Sequence, residues 1–391
     1  MFTIVVLSVP MYSSINRHPL RGKAFLRKLD IKKGSLALRY KLDIRINLVT
    51  LNLFSKNNKG VILMTLILNL QEVEQSINMR TIIEQIEKGL VEEYHGHVQM
   101  PPRMNMSTNN QGFFRLMPAV MNESGYMGFK VFFKNGPNVR YLIGVIDQNE
   151  SNLEAMMDSS YLTAARTGAT TGLATKYLAR ENAKTVGVIG SGLEARTNLE
   201  AVCAVREIEY VRVFSPNPQR RELFAQEMSE KLGIKVEAVD SAIMAVQGAD
   251  IVNVCTNTQS KGNIVAFEGK WVDQGVHVNS IGSTMPSMRE IATDTFEKAD
   301  VIVIDTKHLE GESGDVISAI ESGQYNRDKV IELPSLVAGH QARINDEQIT
   351  LFKSVGTAVQ DIMAARAVYE EAKKLNLGTD VGDFLAAKMF N

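Results

Sequence analysis

Thr185-Val186-Gly187-Val188-Ile189 is an apolar run with strand character, and it leads without a break into Gly190-Ser191-Gly192-Leu193-Glu194-Ala195. Helical spacing then covers Ala195–Val205, and a second strand-like run follows at Tyr210-Val211-Arg212-Val213-Phe214. A strand, a glycine turn, a helix and a second strand within about thirty residues make a βαβ unit, whose two strands must be parallel. Gly190 permits the tight turn, Gly192 allows a ligand close to the backbone, and Ala195 is small enough for the helix to pack on the strand.

The pattern continues downstream. Asn217-Pro218 supplies an N-cap and a proline at the first helical position, which opens a helix over Gln219–Leu232. Strands are expected at Lys235–Val239, Asp250–Cys255, Val276–Ile281 and Val301–Asp305, with helical stretches between several of them. Such alternation specifies an α/β fold, a Rossmann doubly wound parallel sheet. Upstream, the spacing of Val73, Ile77, Ile82, Ile83, Ile86 and Leu90 is helical, and strand-like runs at Phe113–Met117, Met127–Phe133 and Tyr141–Ile146 are separated by turn signals such as Asn135-Gly136-Pro137. These describe a second, smaller α+β lobe. After Asn345, Ile349–Leu375 reads as one long helical segment that returns to that lobe, because the sheet looks complete before it. The expected division is 64–175 for substrate binding and dimerisation, 176–345 for the dinucleotide domain and 346–391 for the returning helix.

Charge sets the first 63 residues apart. They hold 12 Lys and Arg against only Asp30 and Asp43, a net of +10, while the remainder carries −11. No sustained periodicity accompanies the basic residues, and Met64 opens a conventional amphipathic start. Residues 1–63 are therefore expected to be an extension outside the fold, arising from a start codon placed too early. Cys203 and Cys255 both lie in apolar runs, and the pair His95 and His97 has no further ligand type nearby, so no metal site is expected. No apolar run reaches the ~18–20 residues of a membrane-spanning helix. A cytoplasmic protein with neither nucleic-acid nor membrane partners is expected.

The glycine loop points to a dinucleotide, since a helix N-terminus offers free N–H groups and a positive dipole end to a pyrophosphate. Gly190, Ser191, Gly192, Leu193 and Ala195 are its expected contacts. At the end of the second strand, where an acid usually accepts from the ribose of NAD, the chain has Ser215-Pro216-Asn217-Pro218-Gln219-Arg220-Arg221. With no carboxylate to repel a 2′-phosphate, and with Ser215, Asn217 and Arg220 available, NADP is favoured over NAD.

Several runs together resemble the ornithine cyclodeaminase and mu-crystallin family: Thr163-Ala164-Ala165-Arg166-Thr167-Gly168-Ala169, the loop Gly190–Ala195, Ala249-Asp250-Ile251-Val252, His277-Val278-Asn279-Ser280-Ile281-Gly282-Ser283 and Leu351-Phe352-Lys353-Ser354-Val355-Gly356. The resemblance covers residues 64–391 and implies a homodimer that acts on a small amino or imino acid with NAD or NADP. It also implies that Arg103 and Arg166 hold the substrate carboxylate, and that Lys130 contacts both the carboxylate and the reacting centre as the catalytic residue. Thr167, Thr256, Asn257, Ser280 and Gly282 join the dinucleotide contacts on the same basis. The residue types suit this chemistry, since a guanidinium grips a carboxylate through paired hydrogen bonds, and a desolvated lysine can exchange a proton near neutrality. Glu312-Ser313-Gly314-Asp315 also looks like a family signature, although as physics it is equally a helix cap.

One departure bears on the reaction. The cyclodeaminases carry an aspartate in the segment that here reads Gly282-Ser283-Thr284-Met285-Pro286-Ser287-Met288-Arg289-Glu290, and the matching acid is absent. The resemblance then favours hydride transfer between a small L-amino acid and its imine or 2-oxo acid, in the manner of alanine dehydrogenases and of ketimine or pyrroline-2-carboxylate reductases. Cyclodeamination of ornithine and non-catalytic ligand binding are the alternatives.

Overall fold

The computed structural model describes residues 64–109, 112–257 and 264–385. The expectation for residues 1–63 falls outside them. Two eight-stranded sheets organise the described chain. The first is built largely from β1 (Leu66–Leu68), β2 (Val98–Gln99), β3 (Met104–Ser107), β4 (Phe113–Met121), β5 (Tyr126–Asn135), β6 (Asn138–Asp147) and β7 (Asn152–Asp158). Strands β4 to β7 form an antiparallel meander, and β1 joins β7 in parallel. Tyr126, Gly128 and Lys130 alternate toward one buried face of β5, which is the period of a strand half covered by other structure. The helices Met79–Tyr94 and Ala358–Leu375 contribute Ile82, Ile86, Leu90, Val359 and Ile362 to the same apolar core.

The second sheet contains β8 (Thr185–Ile189), β9 (Tyr210–Phe214), β10 (Lys235–Ala238), β11 (Ile251–Val254), β12 (His277–Ser280), β13 (Val301–Ile304), β14 (Val330–Glu332) and β15 (Thr350–Lys353). Its order is β10-β9-β8-β11-β12-β15-β13-β14, with every pairing parallel. The chain winds outward from β8 in one direction and from β11 in the other. This places the topological switch point, where open α/β sheets bind ligands, at the C-terminal ends of β8 and β11. A last short strand, β16 (Thr379–Asp380), pairs with β1 at the edge of the first sheet.

Strand β15 corrects the expectation of one helix over Ile349–Leu375. It lies between β12 and β13, so the sheet is not complete before it. All four of its residues, Thr350 to Lys353, are buried. A strand covered on both faces lacks apolar alternation, and a short run of this kind cannot be told from the start of a buried helix by its period. The helix proper begins at Ala358. Strands β1, β2, β3, β7 and β16 add to the three expected in the first lobe.

The helix Ser160–Leu178 is buried around most of its circumference. Its small residues allow a close crossing with the helix Leu193–Val205: a Cβ on Gly168 would lie 2.4 Å from the Thr197 carbonyl oxygen, and one on Gly172 would lie 2.8 Å from that of Ala201. The crossing fixes Arg166, on the first helix, relative to the glycine loop that opens the second.

Candidate functional site: three cations beside a glycine loop

Arg103, Lys130 and Arg166 come from a loop, a strand and a helix far apart in sequence, and the fold gathers them around the N-terminus of the helix Ala358–Leu375. Lys130 projects from β5 toward that helix, where its Nζ donates to Asp361 Oδ1 at 2.7 Å. The Arg166 Nε stands 2.7 Å from the same oxygen, and its Nη1 donates to Gln360 Oε1 at 3.4 Å. Arg103 uses Nη2 throughout, at 2.9 Å from both the Gly356 carbonyl oxygen and Glu312 Oε2. Asp361 Oδ2 is buried and has no hydrogen-bond partner.

The charges around Lys130 decide its state. It is 2 % exposed, and burial lowers its ammonium to about 7 against the opposing pull of Asp361, with Arg166 reinforcing the fall. Burial outweighs the single shared carboxylate because Asp361 must balance two cations. Lys130 therefore changes charge near neutrality.

The backbone of this corner is held by Asp305, just beyond β13. Its carboxylate accepts from Ser354 Oγ at 2.6 Å, from the Val355 amide at 3.0 Å and from the Gly356 amide at 2.7 Å. The second sheet thus positions the turn that receives Arg103 and begins the helix bearing Asp361. Beside it opens a small cleft lined by Pro101, Pro102, Met117, Thr306, His308 and Thr357.

The glycine loop has the geometry its sequence requires. Gly190 has φ +121°, and a Cβ there would come within 2.3 Å of the Cys255 carbonyl oxygen, whereas a Cβ on Gly192 would meet nothing within 4 Å. No side chain caps the helix Leu193–Val205, whose N-cap is Gly192. Open space above uncapped N–H groups fits a pyrophosphate. Ser191 Oγ donates to Ser215 Oγ at 2.8 Å, linking the loop to the end of β9. Leu193 is exposed beside the open space, and Ala195 is fully buried under the helix. The residues fit a dinucleotide.

The remaining candidates divide by location. Asn217 caps the helix Pro218–Leu232 by accepting from the Arg220 amide at 2.9 Å, and the Arg220 side chain is exposed. Arg221, rather than Arg220, is drawn inward, donating to the Ser215 carbonyl at 3.2 Å and pairing with Asp240. Thr167 is nearly buried, and its hydroxyl donates to the Thr163 carbonyl one turn earlier. Asn257 is exposed just beyond β11. Thr256, Ser280 and Gly282 converge on Glu290: its Oε2 accepts from the Thr256 amide and hydroxyl at 3.1 and 2.9 Å, and its Oε1 accepts from Ser280 Oγ at 2.7 Å and the Gly282 amide at 2.6 Å. Gly282 is required there, since a Cβ would lie 2.3 Å from Glu290 Oε2.

Glu290 is the acid that the segment after β12 does contain, and it points inward. Lys353 Nζ lies 3.7 Å from it and 3.5 Å from Asp315 Oδ2, with Lys353 and Asp315 fully buried and Glu290 nearly so. Asp315 also accepts from the Glu290 and Ile291 amides at 2.8 and 3.2 Å. The Glu312–Asp315 run therefore serves twice, pairing Arg103 through Glu312 and bracing the 282–291 segment through Asp315. Sequence reasoning missed Asp361, Gln360 and Asp305. Gln360-Asp361 was detectable as a polar pair set into the otherwise apolar and small run from Ala358 to Ala365.

Among the described residues no cluster of His, Cys, Asp and Glu suits a metal. No described helix is long and apolar enough to cross a membrane.

The model of the ornithine cyclodeaminase/mu-crystallin family matches residues 64–376. A Delta(1)-pyrroline-2-carboxylate reductase of Bacillus cereus is 33% identical over 81% of this chain and 99% of its own length. The structure of Thermococcus litoralis Delta(1)-pyrroline-2-carboxylate reductase, in complex with NADH and L-proline, superposes with TM-score 0.75 at 37% identity, covering 81% of this chain and 100% of that one. An archaeal alanine dehydrogenase dimer with bound NAD superposes with TM-score 0.74 at 30% identity, over 81% of this chain and 99% of that one. In fold, in the order of its motifs and in overall likeness, the chain belongs to the ornithine cyclodeaminase/mu-crystallin family.

Proposed function

We propose that this chain is an NAD(P)-dependent oxidoreductase interconverting a small L-amino acid with its imine or 2-oxo acid, with the imine of a cyclic amino acid as the leading substrate. The observation that carries the reading is the junction of three cations with a glycine loop at the switch point of a parallel sheet. Arg103 makes its protein contacts through Nη2, which leaves Nε and Nη1 to a ligand. Arg166 engages Asp361 and Gln360 through Nε and Nη1, which leaves Nη2. A substrate carboxylate can bridge these donors and fix the α-carbon beside the dinucleotide. The dinucleotide, when bound, supplies or accepts the hydride.

Lys130 is the proposed proton-holding residue. An arriving carboxylate adds negative charge beside it and raises its proton affinity, so Lys130 takes up a proton as substrate binds and holds it near the substrate nitrogen. Asp361 keeps the ammonium oriented. Glu290 does not act as a base in the cleft, because both of its oxygens are committed to Thr256, Ser280 and Gly282. This inward placement favours hydride transfer over cyclodeamination.

Thr167, Gly190, Ser191, Gly192, Leu193, Ala195, Ser215, Asn217, Arg220, Thr256, Asn257, Ser280 and Gly282 are proposed to bind or shape the dinucleotide site. For Thr256, Ser280 and Gly282 the support is their shared attachment to Glu290, which shapes the C-terminal ends of β11 and β12 beside the switch point. NADP is the proposed preference, supported by Ser215 at the end of β9 and by the exposed Arg220. A homodimer in the cytoplasm completes the reading, with Cys203 and Cys255 as free thiols in keeping with a reducing compartment.

The test is oxidation of NADH and NADPH with Δ1-pyrroline-2-carboxylate, and with pyruvate plus ammonia. Stoichiometric loss of absorbance with an imine is the expected result. Conversion of ornithine to proline without net oxidation of cofactor would replace this reading.

A further inference from the structure

Glu194 is the acid within the glycine loop. Its Oε2 is buried without a hydrogen-bond partner, although it stands in the first turn of the helix Leu193–Val205. The rest of the side chain is only half-buried, and its charge is coupled to groups on four other parts of the fold: Arg166 on the helix Ser160–Leu178, Lys130 on β5, Tyr141 on β6 and Cys255 just beyond β11. The carboxyl is thus within electrostatic reach of two of the three cations, on a loop whose Gly190 packs against Cys255 at the switch point. Burial outweighs both cations and holds it up at about 7, so its charge changes near neutrality.

A dinucleotide with its pyrophosphate over Gly192 and its reactive end at Lys130 and Arg166 must pass this carboxyl. Its nicotinamide ring is a cation when oxidised and neutral when reduced. In a poorly solvated site a carboxylate stabilises the cation, and a neutral carboxyl suits the neutral ring. We propose that Glu194 discriminates between the two cofactor states, binding the oxidised ring as a carboxylate and the reduced ring as a neutral acid, so that binding of oxidised dinucleotide releases a proton. This rests on the dinucleotide reading given under Proposed function. Rising pH then favours the oxidised cofactor and falling pH the reduced one, which biases the site toward imine reduction in mild acid.

The experiment measures binding, not turnover. The full chain is titrated with NAD+ and NADH, and in parallel with NADP+ and NADPH, following protein and cofactor fluorescence from about pH 6 to about pH 8.5. Affinity for the oxidised form should rise by about fivefold or more across this range, while affinity for the reduced form stays level or falls. Calorimetry in two buffers of different ionisation enthalpy should record proton release only with the oxidised form. Glu194→Gln should bind the reduced form normally, which shows that it is folded, and lose both the pH slope and the proton release. Glu194→Asp should keep a slope, and Lys130→Met should also keep it, separating Glu194 from the lysine of the clamp, which changes charge in the same range. A wild type without a pH slope, or a slope surviving in Glu194→Gln, overturns the proposal while leaving the dinucleotide reading intact. Failure of every dinucleotide to bind overturns both.

Discussion

A Cβ placed on Gly356 would come within 2.5 Å of Arg166 Nη1 and 2.8 Å of Nη2. The glycine also has φ +83°, in the left-handed region that costs other residues about 1 kcal/mol or more. Gly356→Ala should therefore displace the Arg166 guanidinium as well as strain the turn. KM for the carboxylate substrate should rise by about tenfold or more, with NADH binding, carried by the glycine loop, much less changed. Steady-state kinetics alongside cofactor titration checks both halves.

Asp361 is the counter-charge shared by Lys130 and Arg166. Replacing it with Asn leaves two cations 2 % and 6 % exposed with no carboxylate between them, and removes the influence that holds the Lys130 ammonium up. The pH midpoint assigned to Lys130 should fall below the present value of about 7. Stability should drop by about 3–5 kcal/mol, the usual cost of stranding a buried charge. The pH profile of kcat/KM tests the first claim and denaturant titration the second. A profile unmoved from the wild type would remove Asp361 from the proton balance of the site.

These contacts also explain which parts of the fold and site were legible in the sequence. Strands β8 and β9 and the loop Gly190–Ala195 obey local rules of period, glycine freedom and helix start, so their signals lie within about thirty residues. Arg103, Lys130 and Arg166 were identified by resemblance, and no local rule shows that they meet. Asp361 was invisible for the same reason: it lies 231 positions from Lys130, and a carboxylate in a helix ordinarily reads as solvent-facing. Strand β15 was misread because burial on both faces erases the alternation that marks a strand. The connecting elements were thus the hardest to read, since their residues answer to both sheets at once.

Lys353, Glu290 and Asp315 form a charge cluster that does not reach the cleft. Burial and Asp315 raise the Glu290 carboxyl, with Lys353 opposing them. Lys353→Met should leave Glu290 without a cation and Asp315 with Arg289 alone, and destabilise the fold by about 3–5 kcal/mol. Because Glu290 holds Thr256, Ser280 and Gly282, the loss should also weaken dinucleotide binding. Chemical denaturation with and without NADH separates the effects: a variant as stable as wild type, binding NADH equally well, would show that the cluster does not brace the strand ends.

Glu194 and Lys130 both titrate near neutrality and act on stability in opposite directions. Glu194 is raised from its ordinary 4.5 to about 7, so between those values the folded chain holds a proton that the unfolded chain has lost, and stability falls as pH rises through the interval. Lys130 is lowered from 10.5 to about 7, so between those values the unfolded chain holds the extra proton, and stability rises with pH. Glu194→Gln should raise Tm above about pH 7 and leave it unchanged at about pH 4.5. Lys130→Met should give its largest gain below about pH 7, with the gain fading toward about pH 10. Thermal unfolding of the cofactor-free chain across this range tests both, and a Glu194→Gln gain that grew on acidification would show that the carboxyl is ionised in the folded site.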